Sequence, residues 1–383
     1  MTSWDGSCSA RRPLAAAEVG RRHALAAMRA VYRELALAAV VVAAIGGGAA
    51  ALLVAVGFPV GPGLAALWTG SFGSWYAFTS ATLVRAVPLM LTGSAVALAF
   101  RGGVLNIGGE GQLLVGAAAA AGVALTMPAA AGLAIPVGIA AALSAAAIGG
   151  ALWAAVAAHL RVRYGVLEVI STIMLNFVAL HVVSYLVRGP LQEPTRVYPQ
   201  SSTIADALHL PGILGAGRLH SGFVLALVLA LVAGWMLRHT AAGFRLVATG
   251  ESPAAAASAG GIDVRSTTTR VFLVSGALAG LAGGVEVLGV TFALYENISP
   301  GYGYTAIAVA LLARLDPWRV VVTGVLFGAL EAGAGAMQRD AGVPATMVAV
   351  IEAALILAVV AAQSIRSRRQ AAAVDSYTLP ADA

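Results

Sequence analysis

Two short segments of the sequence combine glycines with hydrogen-bonding side chains, and each leads into a strongly apolar run. They cover residues 102–116 and 297–312. Their hydrogen-bonding residues are Asn106, Glu110 and Gln112 in the first segment, and Asn297, Tyr302 and Tyr304 in the second. Loosened backbone and a carboxylate are costly at membrane depth unless they line a polar pathway or are enclosed by protein. The pattern therefore predicts interrupted helices whose polar groups bind a substrate or the loosened backbone. A tight cytoplasmic turn is the alternative for the first segment.

Other polar residues also lie inside apolar runs, where a polar side chain is costly unless it has a structural or functional role. Glu286, Glu331 and Glu352 interrupt such runs, and Asn176 does the same in a run of its own. Intramembrane carboxylates usually face the bundle interior or a cavity. Lining of a substrate pathway, proton relay and a structural hydrogen bond all remain open for them. We assign Asn176 and Glu286 to the candidate pathway.

The residue inventory excludes several kinds of chemistry. All 23 basic residues are arginines, so the chain has neither the lysine of a Walker A loop nor one for a Schiff base. Its only cysteine is Cys8, and its six histidines are scattered without metal-binding spacing. We therefore predict no catalytic residues, no metal and no cofactor in this chain.

The composition identifies the solvent in which these segments must fold. Of 383 residues, 60% are apolar and 10% are charged, far below the charge content of a water-soluble domain. Many apolar runs approach or reach the length that crosses a hydrocarbon core. The sequence predicts an all-α membrane bundle of about ten transmembrane helices. The predicted spans are 35–56, 82–100, 112–127, 131–158, 166–187, 222–237, 271–294, 304–313, 320–337 and 343–362.

The arginines predict how the bundle is oriented. With the N-terminus inside, ten crossings place every arginine cluster in the cytoplasm, as the positive-inside rule requires. The net charge of +6 is thus assigned to membrane orientation, and no nucleic-acid partner is expected. The predicted organisation is a cytoplasmic tail at 1–34, a transmembrane domain at 35–362 and a second cytoplasmic tail at 363–383. The stretches 58–81 and 189–221 are predicted external loops.

A repeated pattern suggests internal symmetry. Asn-Ile followed by glycines and an apolar run occurs at Asn106 and again at Asn297. By the predicted crossings, the span before Asn106 runs inward and the span before Asn297 runs outward. Inverted halves with interrupted helices at matching positions are typical of transporters.

The cytoplasmic stretch 244–262 predicts a short helix outside the membrane. Ser252 can cap this helix, Pro253 suits its first turn, and Gly260 or Gly261 can end it. Such a helix can dock into a groove on a soluble partner; an idle connector is the alternative.

At these residues the chain resembles the permease subunits of ABC importers in the branched-chain amino acid, ribose and nucleoside superfamily. The similar segments are 105–112, 168–176 and 306–313, and the resemblance extends over about 80–362. It implies a type II-like fold and a nucleoside-type importer in a bacterial cytoplasmic membrane, with both termini cytoplasmic. It also implies that 250–262 is a coupling helix, with contacts from Gly250, Glu251, Ser252, Pro253, Ala256, Gly261 and Ile262. Two departures from the family pattern are Ser252 in place of the usual Asn and the segment 314–318.

The resemblance further implies partners for this chain. These are a second, unlike permease chain, a cytoplasmic subunit that binds ATP and magnesium, and an external substrate-binding lipoprotein; the spans themselves contact lipid. The alternatives are import of simple sugars such as ribose by the same kind of system, and a proton-coupled secondary transporter. A membrane-embedded enzyme is disfavoured because no nucleophile and base can be paired.

Overall fold

The computed structural model describes residues 57–127, 134–215 and 217–344, together with helical residues 47–48, 50–51, 53–55, 347, 349–350, 353–354 and 357. The helices are α1 (Val60–Ser71), α2 (Trp75–Arg101), α3 (Gly109–Leu125), α4 (Ala134–Tyr164), α5 (Glu168–Arg188), α6 (Gly222–His239), α7 (Ala241–Glu251), α8 (Pro253–Gly260), α9 (Val264–Thr291), α10 (Tyr302–Leu312) and α11 (Pro317–Asp340). Most of the first and last predicted spans, both predicted tails, Cys8 and Glu352 lie outside the described residues.

Six of these helices are long and apolar enough to cross a membrane: α2, α4, α5, α6, α9 and α11. The shorter apolar helices α3 and α10 match the two predicted spans that follow the polar segments. The prediction of a polytopic helical membrane protein is confirmed, and the eight predicted spans that fall on described helices agree with them to within several residues.

The stretch 58–81 is not the loop that its glycines and prolines suggested. Most of it is helical, because α1 buries Gly63 and Ala66 in an apolar cluster with Leu53 and Met337. α2 then begins at Trp75, seven residues before the predicted start at residue 82, and includes a π-helical turn at Phe78–Thr82.

Helices α2 and α9 form the centre of the bundle. In their most apolar windows 89% and 78% of the residues are buried, against 22–28% in α4, α5 and α6. Glycines let α9 touch its neighbours at backbone distance: a methyl group on Gly280 would lie 2.9 Å from the Gly150 Cα atom of α4. In lipid, such close packing is a principal force between helices.

The two ends of the bundle differ in character. At one end the long loop 189–221 pairs with the chain that follows α9, through Ser201 N to Leu294 O at 2.9 Å and Ile204 N to Phe292 O at 2.8 Å. We call this the loop end. Within the loop, the Gln200 amide donates to the Glu193 carboxylate and holds its pKa below the usual value. The opposite, arginine-rich end carries Arg101, Arg161, Arg163, Arg238, Arg245 and Arg270.

Candidate functional site: a junction of two interrupted spans

The first polar segment begins with a non-helical stretch that leads directly into α3. After α2 ends at Arg101, residues 104–107 are non-helical, and α3 begins at Gly109. The Asn106 side chain organises this break: its Oδ1 accepts from Gly108 N at 3.0 Å. The amides of Asn106 and Gln112 bond to each other twice, at 3.0 and 3.1 Å. Both side chains are 1% exposed, so the break is a fixed structure inside the bundle.

Asn106 also ties this break to the central helix α9. Its Nδ2 donates to the Ser275 hydroxyl at 2.9 Å. From the other side, Asn176 of α5 accepts from Gly111 N at 2.8 Å and donates to Ile107 O at 3.0 Å. Side chains therefore provide the hydrogen bonds that an interrupted helix lacks, as burial in an apolar medium requires.

The second polar segment forms an equivalent break before α10. Gly301 has a φ of 103°, a conformation that glycine adopts without strain. The Ser299 hydroxyl accepts from the amides of Gly301 and Tyr302, both at 3.1 Å. Ser299 thereby satisfies two backbone amides at the start of α10 that lack a partner within the helix.

The first turns of α3 and α10 meet inside the bundle. The Glu110 carboxyl group accepts from Gly303 N at 2.7 Å, and this bond is buried. Gly303 permits the approach, since a methyl group there would lie 2.5 Å from the Glu110 Cα atom. The positive ends of two helix dipoles thus converge on a carboxyl group, which they stabilise. We call the contact between these first turns, together with Asn106, Gln112 and Asn176, the junction.

Helices α3 and α10 leave the junction in opposite directions. α10 ends near Leu315, whose carbonyl accepts from Arg101 at the arginine-rich end. α3 instead ends near Met127, which with Leu208 of the long loop lies close to Gly138 of α4. Each break thus follows a span from a different end of the bundle, which is the inverted arrangement of halves that the two Asn-Ile patterns predicted.

Tyr304 is the predicted site residue that joins the junction to the surface of the chain. Its hydroxyl accepts from Asn176 Nδ2 at 3.3 Å, while the residue as a whole is 44% exposed. Nearby α5 exposes an apolar stripe that includes Met174 and Phe177, at 53% and 54%. The junction therefore has a surface of mixed aromatic, apolar and polar character.

The structure separates the predicted site residues into two groups. It brings Asn106, Glu110, Gln112, Asn176, Tyr302 and Tyr304 together at the junction. Glu286 is 5% exposed near the end of α9, where Arg85 and Arg218 are charged neighbours and Tyr302 of the junction also lies within electrostatic reach. Asn297 is exposed at the start of the second polar segment, before Ser299. Neither Glu286 nor Asn297 is hydrogen-bonded to the residues of the junction in the described part of the chain.

Three residues of the junction were missed in the sequence. Ser275 lies in a glycine-rich helix that suggested only packing, and Gly303 is one of 45 glycines. Ser299 precedes Pro300, a pattern that could have indicated a turn. Only the fold shows that Ser275 faces Asn106 and that Gly303 faces Glu110.

At the arginine-rich end, α8 is the capped helix that the sequence predicted. Ser252 accepts from Ala255 N at 3.3 Å, Pro253 occupies the first turn, and Gly261 follows with a φ of 57°. Ala256 is buried against the rest of the chain, whereas Ala254, Ala255 and Ala257 are exposed. Gly250 and Glu251 belong to the preceding helix, α7, which was not predicted as a separate element.

Helix α7 connects α8 to the first break. A methyl group on Gly250 would overlap the Arg101 carbonyl and lie 2.9 Å from Gly103 N. Gly103 in turn begins the segment that carries Asn106. This contact packs α7 directly against the start of the segment that carries Asn106.

The segment 314–318 holds α11 against α6. Asp316 pairs with Arg238, whose guanidinium lies 3.8 Å from the Trp318 ring centre. The Trp318 indole donates to Leu231 O at 2.9 Å. The residues that depart from the family pattern thus form an internal clasp.

Comparisons with known proteins agree with this architecture. Residues 78–360 match the family described as the branched-chain amino acid transport system / permease component. The guanosine ABC transporter permease protein NupP of Bacillus subtilis is 37% identical over 319 residues, which cover 82% of this chain and 90% of that protein. The glucose ABC transporter permease protein TsgB13 of Haloferax volcanii is 36% identical over 313 residues, covering 79% and 81%.

The nucleoside ABC transporter permease protein NupB of Lactococcus lactis is 29% identical over 286 residues, covering 72% of this chain and 77% of that protein. No solved structure matches the chain. The family match begins within α2 and extends beyond α11, and it includes both breaks and the capped helix α8. This chain is therefore a multi-pass membrane protein that belongs to the permease component family of branched-chain amino acid transport systems.

Proposed function

We propose that this chain is the permease subunit of an ATP-driven nucleoside importer and hydrolyses no ATP itself. In this proposal the arginine-rich end and both termini are cytoplasmic, and the loop end faces an external substrate-binding lipoprotein. A second permease chain and a cytoplasmic subunit that binds ATP and magnesium complete the system.

The observation that carries the proposal is the exposed, doubly capped helix α8 and its contact with the first break through α7. A secondary transporter has no need of a helix held outside the membrane for a soluble partner. Here α8 buries Ala256 against its own chain and leaves Ala254, Ala255 and Ala257 free to contact another protein.

In the proposed mechanism, ATP binding on the partner moves α8, and α7 follows. The Gly250–Gly103 contact then shifts the segment 102–108, which is bonded to α9, α5 and α3 through Asn106, Gln112 and Asn176. A rigid junction of this kind moves as a unit. Its displacement changes which end of the pathway is open, and this chain supplies no covalent step.

We place the substrate pathway beside Tyr304, between this chain and the second permease. The other polar groups of the junction are largely engaged with one another, whereas the Tyr304 ring is partly exposed and can stack on a nucleobase. In this proposal Asn106, Glu110 and Gln112 shape the pathway from within, and Tyr304 contacts the substrate.

The relatives support the substrate class and the second permease. Two of the three relatives described above are named for guanosine or nucleosides. The guanosine permease protein NupQ of Bacillus subtilis and the nucleoside permease protein NupC of Lactococcus lactis are also similar, at 28% and 26% identity. These named pairs favour a complex of two unlike permeases. The glucose-named relative supports a sugar as the second candidate substrate.

Uptake by the reconstituted importer tests the substrate and the energy source. The tagged chain is purified with its co-purifying subunits and placed in liposomes, and radiolabelled guanosine and glucose are offered with and without internal ATP. We expect ATP-dependent guanosine uptake. Uptake of glucose alone would overturn the nucleoside assignment, and uptake driven by a proton gradient without ATP would overturn the ATP-driven mechanism.

Cross-linking tests the role of α8 separately. In a Cys8→Ser background, an Ala257→Cys variant places a thiol on the exposed face of α8, and the matched control Val197→Cys places one at the loop end. We expect Ala257→Cys to cross-link to the ATP-binding subunit and Val197→Cys not to do so. Equal cross-linking at both positions, or none at Ala257→Cys, would contradict the proposed orientation and docking.

A further inference from the structure

A groove of about 190 Å³ lies at the arginine-rich end, away from the junction. Helices α2, α6, α7 and α9 enclose it. Its apolar lining consists of Leu98, Met236, Ala242, Leu246, Val271 and Val274. Two arginines, Arg245 of α7 and Arg270 of α9, complete the lining together with Thr267.

Both arginines of the groove are exposed and have no charge partner among the described residues. In the part of the chain that the structure describes, neither Arg245 nor Arg270 forms an ion pair or donates a side-chain hydrogen bond. This contrasts with Arg238 at the same end, which is paired with Asp316. Two unpaired guanidinium groups beside one cavity attract an anion, and guanidinium geometry suits phosphate oxygens.

The arginines lie at one end of the groove and the apolar residues continue deeper into the bundle. On α9, Thr267, Arg270, Val271 and Val274 share one face at helical spacing, with the polar residues nearer the arginine-rich end. Val274 is 47% exposed, so the deeper part of the groove is open at the side. Such a site is charged at the membrane surface and apolar towards the hydrocarbon region, which matches an anionic amphiphile.

The neighbouring surface of α6 indicates that the open side faces lipid. Val228, Val232 and Trp235 form an exposed stripe at 48%, 52% and 54%, and the stripe ends one residue before Met236 of the groove. Phe244, beside Arg245, is 67% exposed. Aromatic residues next to arginines at helix ends are typical of the membrane–water interface.

We propose that this groove binds one anionic phospholipid, with its phosphate on Arg245 and Arg270 and an acyl chain along Met236, Val271 and Val274. Basic pockets between transmembrane helices bind anionic headgroups in this way. The bound lipid joins α7 to α9 and α2, and so it braces the helix that carries α8. The proposal does not rest on the nature of the transported substrate, because it concerns a lipid held at the side of the bundle.

Lipid retention by the purified complex tests this site. The full complex is delipidated in detergent and titrated with phosphatidylglycerol or with phosphatidylcholine of the same acyl chains, and bound lipid is counted by native mass spectrometry. We expect one phosphatidylglycerol to bind with clear preference over phosphatidylcholine. An arginine near an anionic lipid contributes about a fivefold gain in affinity, so the Arg245→Gln/Arg270→Gln double variant is expected to bind about 30-fold more weakly.

Two further variants separate the groove from general surface charge. Arg265→Gln removes an exposed arginine from the first turn of α9 that does not line the groove, and it is expected to leave binding unchanged. Val274→Trp retains both arginines but fills the acyl-chain region, and it is expected to weaken binding. Equal binding of the two lipids, an equal loss in Arg265→Gln, or unchanged binding in Val274→Trp would each overturn the proposal.

Discussion

Replacing Glu110 by alanine removes the carboxyl group that joins the first turns of α3 and α10. In the unmodified chain the Gly303 amide donates to this group at 2.7 Å, in a region closed to solvent. The alanine variant leaves that amide without its acceptor. The position lies in the membrane-embedded part of the bundle, so bulk water is a poor substitute.

The size of the effect follows from the cost of an unsatisfied buried donor. That cost is about 1–3 kcal/mol, which corresponds to a change of about 5- to 140-fold in the equilibrium between the closed and the opened junction. Hydrogen exchange at the Gly303 amide should accelerate by a factor in this range. Hydrogen-exchange mass spectrometry of the reconstituted complex measures this change as deuterium uptake in a peptide that covers residues 299–306.

Glu110→Gln is the matched control, because glutamine has nearly the same size and keeps an oxygen that can accept from Gly303. We expect it to preserve most of the protection and of the transport activity, whereas Glu110→Ala loses much of both. Unchanged exchange at residues 299–306 in Glu110→Ala would refute the assignment of Glu110 as the link between the two helices. Faster exchange in Glu110→Gln, equal to that in alanine, would show that charge rather than hydrogen bonding holds the junction.

Three other substitutions test contacts elsewhere in the bundle. Gly250→Ala should reduce transport while ATP hydrolysis by the complex continues, because the added methyl group overlaps the Arg101 carbonyl. Overpacking of this kind costs about 1–3 kcal/mol, and equal losses of transport and hydrolysis would argue against a coupling role. Gly280→Leu should prevent assembly of a stable bundle, since even one methyl group there would lie 2.9 Å from the Gly150 Cα atom. Size-exclusion chromatography of the detergent-purified protein measures the loss, and a normal profile would contradict the close crossing of α9 and α4. Asp316→Ala should lower the thermal stability of the purified chain modestly, because it removes the pair with Arg238 and the cap on Trp318 N, and an unchanged melting curve would show that the clasp contributes nothing.

The two polar breaks could be predicted from the sequence, whereas the contacts that glycines make with distant residues could not. Asn106 and Asn297 stood out because polar groups and glycines are conspicuous in apolar runs. The sequence could not show that Glu110 faces Gly303, since 193 positions separate the two residues. Gly280 and Gly150 were likewise two of many glycines until the crossing of α9 and α4 distinguished them.

Local sequence patterns gave the wrong structure for the stretch 58–81 and only part of the structure around α8. Glycines and prolines suggested a loop at 58–81, yet α1 forms there because Leu53 and Met337 offer it an apolar surface. The first residue of the capped helix α8 was predicted correctly, because Ser252 and Pro253 favour a helix start through contacts with adjacent residues. The separate helix α7 was not predicted, since its packing against α6, α9 and α2 depends on the whole bundle.

By itself the sequence determined that the chain lies in lipid, where eight of its apolar spans fall, where the two polar breaks occur and which end carries the positive charge. These properties depend on hydropathy, helix capping and charge position, which involve residues that are close together in the sequence. Only the tertiary structure decided that the two breaks share one junction, that Glu286 and Asn297 form no hydrogen bond with it among the described residues, and that Arg245 and Arg270 flank one groove. Those relations arise from packing between distant segments, which is set by the fit of whole helix surfaces rather than by any local pattern.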